Sequence, residues 1–531
     1  MDYGVRRIFF GWRVFAPLAL LLAMVAGCAN DPPARNGGTG APTDAHETGE
    51  TERVAAWFEA HRDQPPALRV FLQRMPKGGD IHIHLGGAVY AESYLAWAAE
   101  EDFWVRQVGE ALELQKCVAE DSTMTRLATL TDSRIYNRLI DQMSTRNLAF
   151  AERSGHSDFF AAFAAAAPVS RLRAGSMVAE IATGAAEQRT YYLELMLSLQ
   201  NHAVRKLGRE VGMRSDYAST HSALLEAGLA DLVDAGQGEL DELDQEFQRV
   251  MGCDGADPPP GCEVTIRYLQ QTSRSRTPAE VFAQIAFAVE VARADSRVVG
   301  INLISPEDDR VALRDYTAHM EMVEYLVTAA PEQVNVALHA GELTLGLVHP
   351  RELRFHIREA VEVGQARRIG HGVDIAYEND ALGLLEEMRE RGILVEICLT
   401  SNDVILNVRG DEHPLPLYLD AGVPLTLATD DEGVSRIDLT NEYLRAALTY
   451  DLGYRDLKTM ARNSLAHSFL PGAGLWRPGT FAVTEACAGN TLGSEDPKRA
   501  CADFLASSER AQEQWRLEAE LLAFESLSWA H

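Results

Sequence analysis

His82-Ile83-His84 sets two imidazoles at i and i+2, a spacing that in a β-strand puts both on one face. Two neutral imidazoles on one rigid strand make half of a zinc-type site. Such a site needs a third and a fourth ligand from elsewhere in the chain. Candidates follow downstream. His339-Ala340-Gly341-Glu342 carries a histidine with a carboxylate three residues on, His371 stands between Gly370 and Gly372, and Asp430-Asp431 follows an apolar run. A structural histidine would satisfy any one of these positions. Four such clusters at the ends of four apolar runs are poorly explained that way.

The elements that must position these groups are short β-type runs alternating with amphipathic, Ala/Leu/Glu-rich helical stretches, the pattern of an α/β protein. The candidate strands are 80–85, 190–197, 263–269, 297–304, 334–339, 367–371, 392–399 and 423–429. Eight strands, most of them separated by helix-length connections, predict a (β/α)8 TIM barrel, whose sites lie at the C-terminal ends of the strands. The barrel is expected over 79–475, after an N-terminal helical segment 51–78 and before a C-terminal loop and helix within 476–531. Two stretches exceed a minimal barrel: 86–189 after strand 1, expected to be mostly helical, and 198–262 after strand 2. The acidic run DELDQEF in the second insertion reads as a solvated helix face.

The chain of 531 residues carries 49 Lys+Arg against 78 Asp+Glu, a formal charge of −29. That balance excludes nucleic acid as a partner and a basic face for anionic lipid, because both contacts would be repulsive. The first 27 residues read as an export signal: Arg6, Arg7 and Arg13 precede a short apolar run ending in Val25-Ala26-Gly27-Cys28,. This ending resembles the lipobox of bacterial lipoproteins, with Cys28 as the lipidated residue, and Arg6-Arg7-Ile8-Phe9 weakly resembles a twin-arginine signal. Residues 28–50 read as a flexible tether rich in Gly, Pro and Thr,. The expected location is outside the cytoplasm, at the outer membrane facing the periplasm or the cell surface, held by lipid alone. In such an oxidising compartment Cys253 with Cys262, and Cys487 with Cys501, are spaced for loop-closing disulfides,. Cys117, in an expected helix, and Cys398, in a strand-like run, read as reduced.

Taken together, MPKGGDIHIHLGGAV (75–89), HAGE (339–342), RIGHG (368–372), EICLTSN (396–402), HPL (413–415), LATDDEGV (427–434) and ARNSLAHSFLPG (461–472) resemble the adenosine deaminase family of metal-dependent amidohydrolases. The lead-in and the large first insertion look closest to its secreted, growth-factor-like branch and exported bacterial relatives. The resemblance implies one Zn²⁺ held by His82, His84, His339 and Asp430, with a bound water whose pKa falls toward about 7. It implies that His371 orients that water, as base or as electrostatic partner, and that Glu342 protonates the purine ring. It places His84, Gly86, Ser305, Gly341 and Asp431 around a small purine nucleoside. The strand 297–304 has no lysine for a binuclear centre, and no C-x-x-C is present for the cysteine-ligated deaminases,.

Two positions depart from the family pattern. Gly86 stands where an acidic residue usually meets the ribose 5′-hydroxyl, and Ser305-Pro306-Glu307 replaces a loop glycine. Three readings follow: a deaminase of adenosine or 2′-deoxyadenosine; a deaminase of another 6-aminopurine, such as adenine or an N6-modified nucleoside; or a purine-binding lipoprotein without turnover. Phe159, Phe160 and Phe163 read equally as a lid over the base or as ordinary core.

Overall fold

The computed structural model describes residues 49–108, 111–116, 124–148, 154–330 and 332–529. Eight parallel strands form the barrel: β1 (Gly78–His84), β2 (Thr190–Leu197), β3 (Thr265–Ser273), β4 (Val298–Ile304), β5 (Ala337–Ala340), β6 (Arg368–His371), β7 (Leu394–Ile397) and β8 (Leu425–Leu427). The continuous ladders run β1-β2-β3-β4 and β5-β6-β7-β8. Two single bridges join the halves, Ile301 with Val336 and Ile83 with Asp430. At the second seam the Asp430 N–H donates to His82 O at 2.9 Å and the His84 N–H donates to Asp430 O at 2.9 Å. The seam that closes the barrel is thus made by three of the candidate site residues.

Most strand residues are buried on both faces, β2 completely, as expected where helices cover a parallel sheet. The helices Pro278–Ala294 and Arg310–Ala329 follow β3 and β4; Thr277 with Glu280 caps the first and Asp309 caps the second,. The barrel interior is not wholly apolar. Buried Arg368 on β6 bridges Glu194 of β2 and Glu396 of β7, each at 2.6 Å, and lies 3.8 Å over the Phe469 ring. Unpaired, any of these charges would be costly at this depth; as a bonded set they are tolerated.

The first insertion differs from the mostly helical expectation. It contains an antiparallel sheet of Phe103–Val108, Ala111–Lys116 and Met124–Arg126 as well as helices. ALELQK (111–116) has helix-forming composition, but pairing with FWVRQV (103–108) buries Leu112 and Leu114 on one face, and tertiary packing overrides propensity,. The described chain is a strand up to Lys116; the helix expected at Cys117 falls on a residue outside the described ones. The second insertion is helical, and its long helix Leu229–Met251 buries Leu240, Leu243 and Phe247. Asp241 and Asp244 of its acidic run pair with Arg297 at 2.8 and 2.7 Å. The C-terminal segment forms two helices, Arg499–Ala506 and Glu509–Glu525. Trp476, Leu517 and Leu521 of this segment, with Leu465 and Leu470 just ahead of it, pack on Ile81, Tyr192 and Leu394, near the starts of β1, β2 and β7.

Disulfides join Cys253 to Cys262 and Cys487 to Cys501. Cys398 is a free, buried thiol. The export signal, Cys28 and the tether up to residue 48 lie outside the described residues. Among the described residues no helix is long and apolar enough to cross a membrane.

Candidate active site

The strand ends bring His82, His84, His339, Glu342, His371, Asp430 and Asp431 to one mouth of the barrel. His84 Nε2 lies 3.2 Å from His339 Nε2, and Asp430 Oδ1 is 3.2 Å from His84 Nε2 and 3.4 Å from His82 Nε2. His371 Nε2 is 3.6 Å from Glu342 Oε1. By distance alone, His82, His339, His371 and Asp430 could hold a metal ion, as could His84, Asp430 and Asp431. His371 and Asp430 both adopt left-handed backbone, with φ of 69° and 61°. Such strain in non-glycine residues persists where the surroundings over-determine it, and it gathers at functional sites.

Three histidines present Nε2 to the centre because their Nδ1 atoms are already engaged. His82 Nδ1 donates to Glu396 Oε2 at 2.6 Å, and His84 Nδ1 meets Gln271 Oε1 at 3.0 Å. His339 Nδ1 meets Asn302 Oδ1 at 2.9 Å, and that oxygen also accepts the His339 backbone N–H at 3.2 Å. A backbone amide can only donate, so the oxygen of Asn302 faces His339 and the ring proton sits on Nδ1. Each Nε2 then carries a lone pair, the form a metal ligand needs. Ser401 Oγ donates to Asp430 Oδ2 at 2.6 Å and leaves Oδ1 toward the histidines. Buried His82 Nε2, Glu342 Oε1, His371 Nε2 and Asp431 Oδ1 all lack a hydrogen-bond partner. Orphaned polar atoms at this depth are costly, and their convergence marks a place built for a cation and a polar ligand.

The electrostatics divide the acids by role. The Asp430 carboxyl is held well below its ordinary pKa: burial opposes ionisation, but the adjoining imidazoles of His82, His84 and His371 outweigh it. Glu342 is pushed well above the usual carboxylate range by burial, then by Asp430 and Glu307. Asp431 is raised in the same way by burial and by Asp430. The surroundings thus favour the ionised form at Asp430 and the protonated form at Glu342 and Asp431 within one pocket,. His371 is brought down to about 3 by burial, with Asp430 opposing.

The residues expected around a substrate differ in what they offer. A Cβ on Gly86 would meet nothing within 4 Å, whereas one on Gly87 would overlap Asp431 Oδ1. Gly341, at φ 75°, gives its N–H to Glu307 Oε1 at 3.1 Å and its carbonyl to the N–H groups of Val373 and Asp374. Both its polar groups are engaged inside the protein. Ser305, at φ 89°, accepts Arg274 Nε on its carbonyl at 3.0 Å. The helix Gly155–Ser170 lays Phe159 and Ala162 against Val373, Ile405, Leu406, Val408 and Val434, from the loops after β6, β7 and β8. His156 at its start meets Asp308 Oδ1 of the loop after β4 at 3.0 Å. An open cavity of about 890 Å³ lies at this edge, between Thr344–Leu347, Asp403–Asn407 and His156.

Sequence reasoning missed Glu396, Gln271, Asn302, Ser401 and Glu307. Glu307 accepts the N–H groups of Gly341 at 3.1 Å and Glu342 at 2.8 Å, and so fixes the backbone that carries the carboxyl. A signal was present. A Glu in the middle of GILVEICL and an Asn in VVGINLI are polar groups in runs too apolar to tolerate them without partners,.

A family model described as adenosine deaminase matches residues 118–474, more than half of the chain. The His82–His84 pair lies ahead of that span. The adenosine deaminase of Enterococcus faecalis is 32% identical over 177 residues, covering 33% of this chain and 47% of that protein. The aminodeoxyfutalosine deaminase of Streptomyces avermitilis is 43% identical over 137 residues, 26% of this chain and 35% of that protein. The chain thus spans less than half the length of either relative. The solved N6-methyl-AMP deaminase of Arabidopsis thaliana is 20% identical, with a TM-score of 0.48 over 76% of this chain and 94% of that one. On the family match, the chain belongs to the adenosine deaminase family.

Proposed function

We propose that this protein is a zinc-dependent hydrolytic deaminase of a 6-aminopurine nucleoside, adenosine or 2′-deoxyadenosine, releasing inosine or deoxyinosine and ammonia. The observation that carries the reading is a convergence: the Nε2 atoms of His82, His84 and His339 gather beside Asp430 Oδ1, with Glu342, whose burial favours the protonated form, facing them from beside His371. The donor set of three imidazole nitrogens and one carboxylate oxygen suits Zn²⁺. When bound, the ion supplies Lewis acidity and a water acidic enough to act as a nucleophile near neutral pH.

The chain's own residues do the rest. Purine N1 and N7 are acceptors, so each needs a donor. Glu342 gives its proton to N1 as oxygen adds at C6, which removes the charge that would otherwise build on the ring. Asp431, also protonated, donates to N7 and holds the ring plane against the mouth. His371 faces the attacking oxygen from beside Glu342. Of the two protons of the attacking water, one passes to the departing amine, which leaves C6 as ammonia, and the other restores the Glu342 carboxyl, while C6 keeps the oxygen and N1 its proton.

The test is the full-length protein with adenosine, 2′-deoxyadenosine, adenine and an N6-methyl nucleoside, following ammonia release before and after chelation and zinc repletion. Turnover of adenosine that falls with chelator and returns with zinc supports the reading; zinc bound with no turnover of any aminopurine overturns it. Gly86 favours a second reading, a 6-aminopurine with a different sugar or none. No side chain takes the place of a 5′-hydroxyl partner there, and the space is open. Turnover of adenine but not adenosine would select it. We also infer export and lipidation at Cys28, and an exported relationship within the family. Fatty-acid labelling that persists in Cys28→Ser would overturn the anchor.

A further inference from the structure

The motifs EICLTSN and HPL carry two residues that the chemistry above does not use, Asn402 and His413, and both are buried behind His371. The Leu415 backbone N–H reaches His413 Nδ1 at 3.1 Å. That amide can only donate, so Nδ1 of His413 accepts and its ring proton sits on Nε2. His413 Nε2 lies 3.0 Å from Asn402 Oδ1, which settles the orientation of that amide. The Asn402 NH₂ group therefore points the other way, 3.0 Å from His371 Nδ1. A nitrogen that accepts this N–H cannot carry a proton, so in neutral His371 the proton sits on Nε2. Every link follows from the first, and the first is a backbone amide.

His371 is thereby wired in the opposite sense to its neighbours. His82, His84 and His339 meet oxygen acceptors at Nδ1 and offer lone pairs at Nε2. His371 meets a donor at Nδ1 and offers N–H at Nε2. Distance alone would admit His371 as a metal ligand with His82, His339 and Asp430; hydrogen-bond polarity does not.

We propose that Asn402 and His413 are positioning residues that hold His371 with its Nε2–H toward the reaction centre, so that His371 orients the attacking oxygen as a hydrogen-bond donor and serves neither as ligand nor as proton acceptor. This rests on the deaminase reading only for the identity of the oxygen; the wiring itself stands without it. Taking up a proton at Nδ1 would break the Asn402 contact and set two N–H groups against each other.

The tautomer can be read directly. In the zinc-loaded full-length protein with ¹⁵N-labelled histidine, His371 is assigned by the resonances lost in His371→Gln. Its expected signature is a protonated Nε2 and an unprotonated Nδ1. Asn402→Asp replaces the donor with a carboxylate, which accepts from both rings and draws the His371 proton to Nδ1. The expected result is reversed ¹⁵N shifts and kcat down about 10²-fold or more, the order seen when one aimed donor is lost. KM and zinc content should stay near wild type. His413→Gln, whose amide can still donate to Asn402, should keep more kcat than His413→Ala. Wild-type His371 protonated at Nδ1 overturns the proposal, as does Asn402→Asp with undiminished kcat on every substrate turned over. If Asn402→Asp fails to fold, the wild-type spectrum alone decides. Absence of turnover on all aminopurines would sink the deaminase reading and leave the tautomer result intact.

Discussion

At the scale of single residues, the site works by giving identical side chains opposite protonation states. Glu342 must be protonated to act on N1, and burial with Asp430 and Glu307 nearby lifts its pKa. The sign follows: kcat should hold toward neutral pH and fall on the alkaline side, as pH passes the raised folded-state pKa and the acid form is lost. Glu342→Gln should lose about 10²–10⁴-fold in kcat at all pH values, while metal analysis still finds a full complement. Retention of near-wild-type rate would remove Glu342 from the proton path. Gly86 and Gly87 make a second contrast between adjacent positions. Gly86→Ala enters open space and should leave Tm unchanged. Gly87→Ala would push Asp431 aside and should raise KM about tenfold or more, the cost of one misplaced hydrogen bond of about 1.5 kcal/mol. Steady-state kinetics on the two variants would check this, and equal KM values would refute the role given to Asp431.

At the scale of elements, the strands that carry ligands could be read from sequence, while only some of the parts that orient the ligands left a signal there. Apolar runs bounded by turn residues located all eight barrel strands, and the polar residues closing β1, β5, β6 and β8 stood out against them. Gln271 did not stand out, because in the polar stretch QQTS an inward amide is indistinguishable from an edge residue until the neighbouring strand is in register. Asn402 reaches His371 across two βα loops, and no local spacing encodes that contact. The strands of the first insertion escaped because Ala111–Lys116 has helical composition and is held by its partner Phe103–Val108. The helix Gly155–Ser170 belongs to this scale too. Its aromatic stripe admitted either a lid or core, and the structure shows Phe159 packed on loops that also border the site. Phe159→Ala should therefore loosen that helix selectively. Limited proteolysis should gain cuts between 143 and 170, and kcat/KM should fall about tenfold, while the main thermal transition moves little. A single large fall in Tm with no local cutting would make the helix part of the common core instead.

At the scale of the whole molecule, the chemistry and the covalent bracing lie in different regions. The ligands gather where the strands end. The Cys487–Cys501 bridge lies in an apolar cluster with Ile81, Tyr192 and Leu394 near the starts of β1, β2 and β7, and Cys253–Cys262 closes a loop of the second insertion. Closing a loop of about 15 residues removes roughly 3 kcal/mol of freedom from the unfolded chain, a large share of the 5–15 kcal/mol that usually separates folded from unfolded protein. Such bridges persist outside the reducing cytoplasm, which agrees with the proposed export and bears on where the protein can be made well. Because neither bridge touches a ligand or the groups that orient one, reduction should lower stability without altering the site. The expected result is a fall of several degrees in Tm with reductant or in Cys487→Ala/Cys501→Ala, and unchanged kcat at 25 °C. Calorimetry paired with steady-state rates would read both. A kcat that declined in step with thiol exposure, well below the transition, would show that bracing and chemistry are mechanically coupled across the barrel.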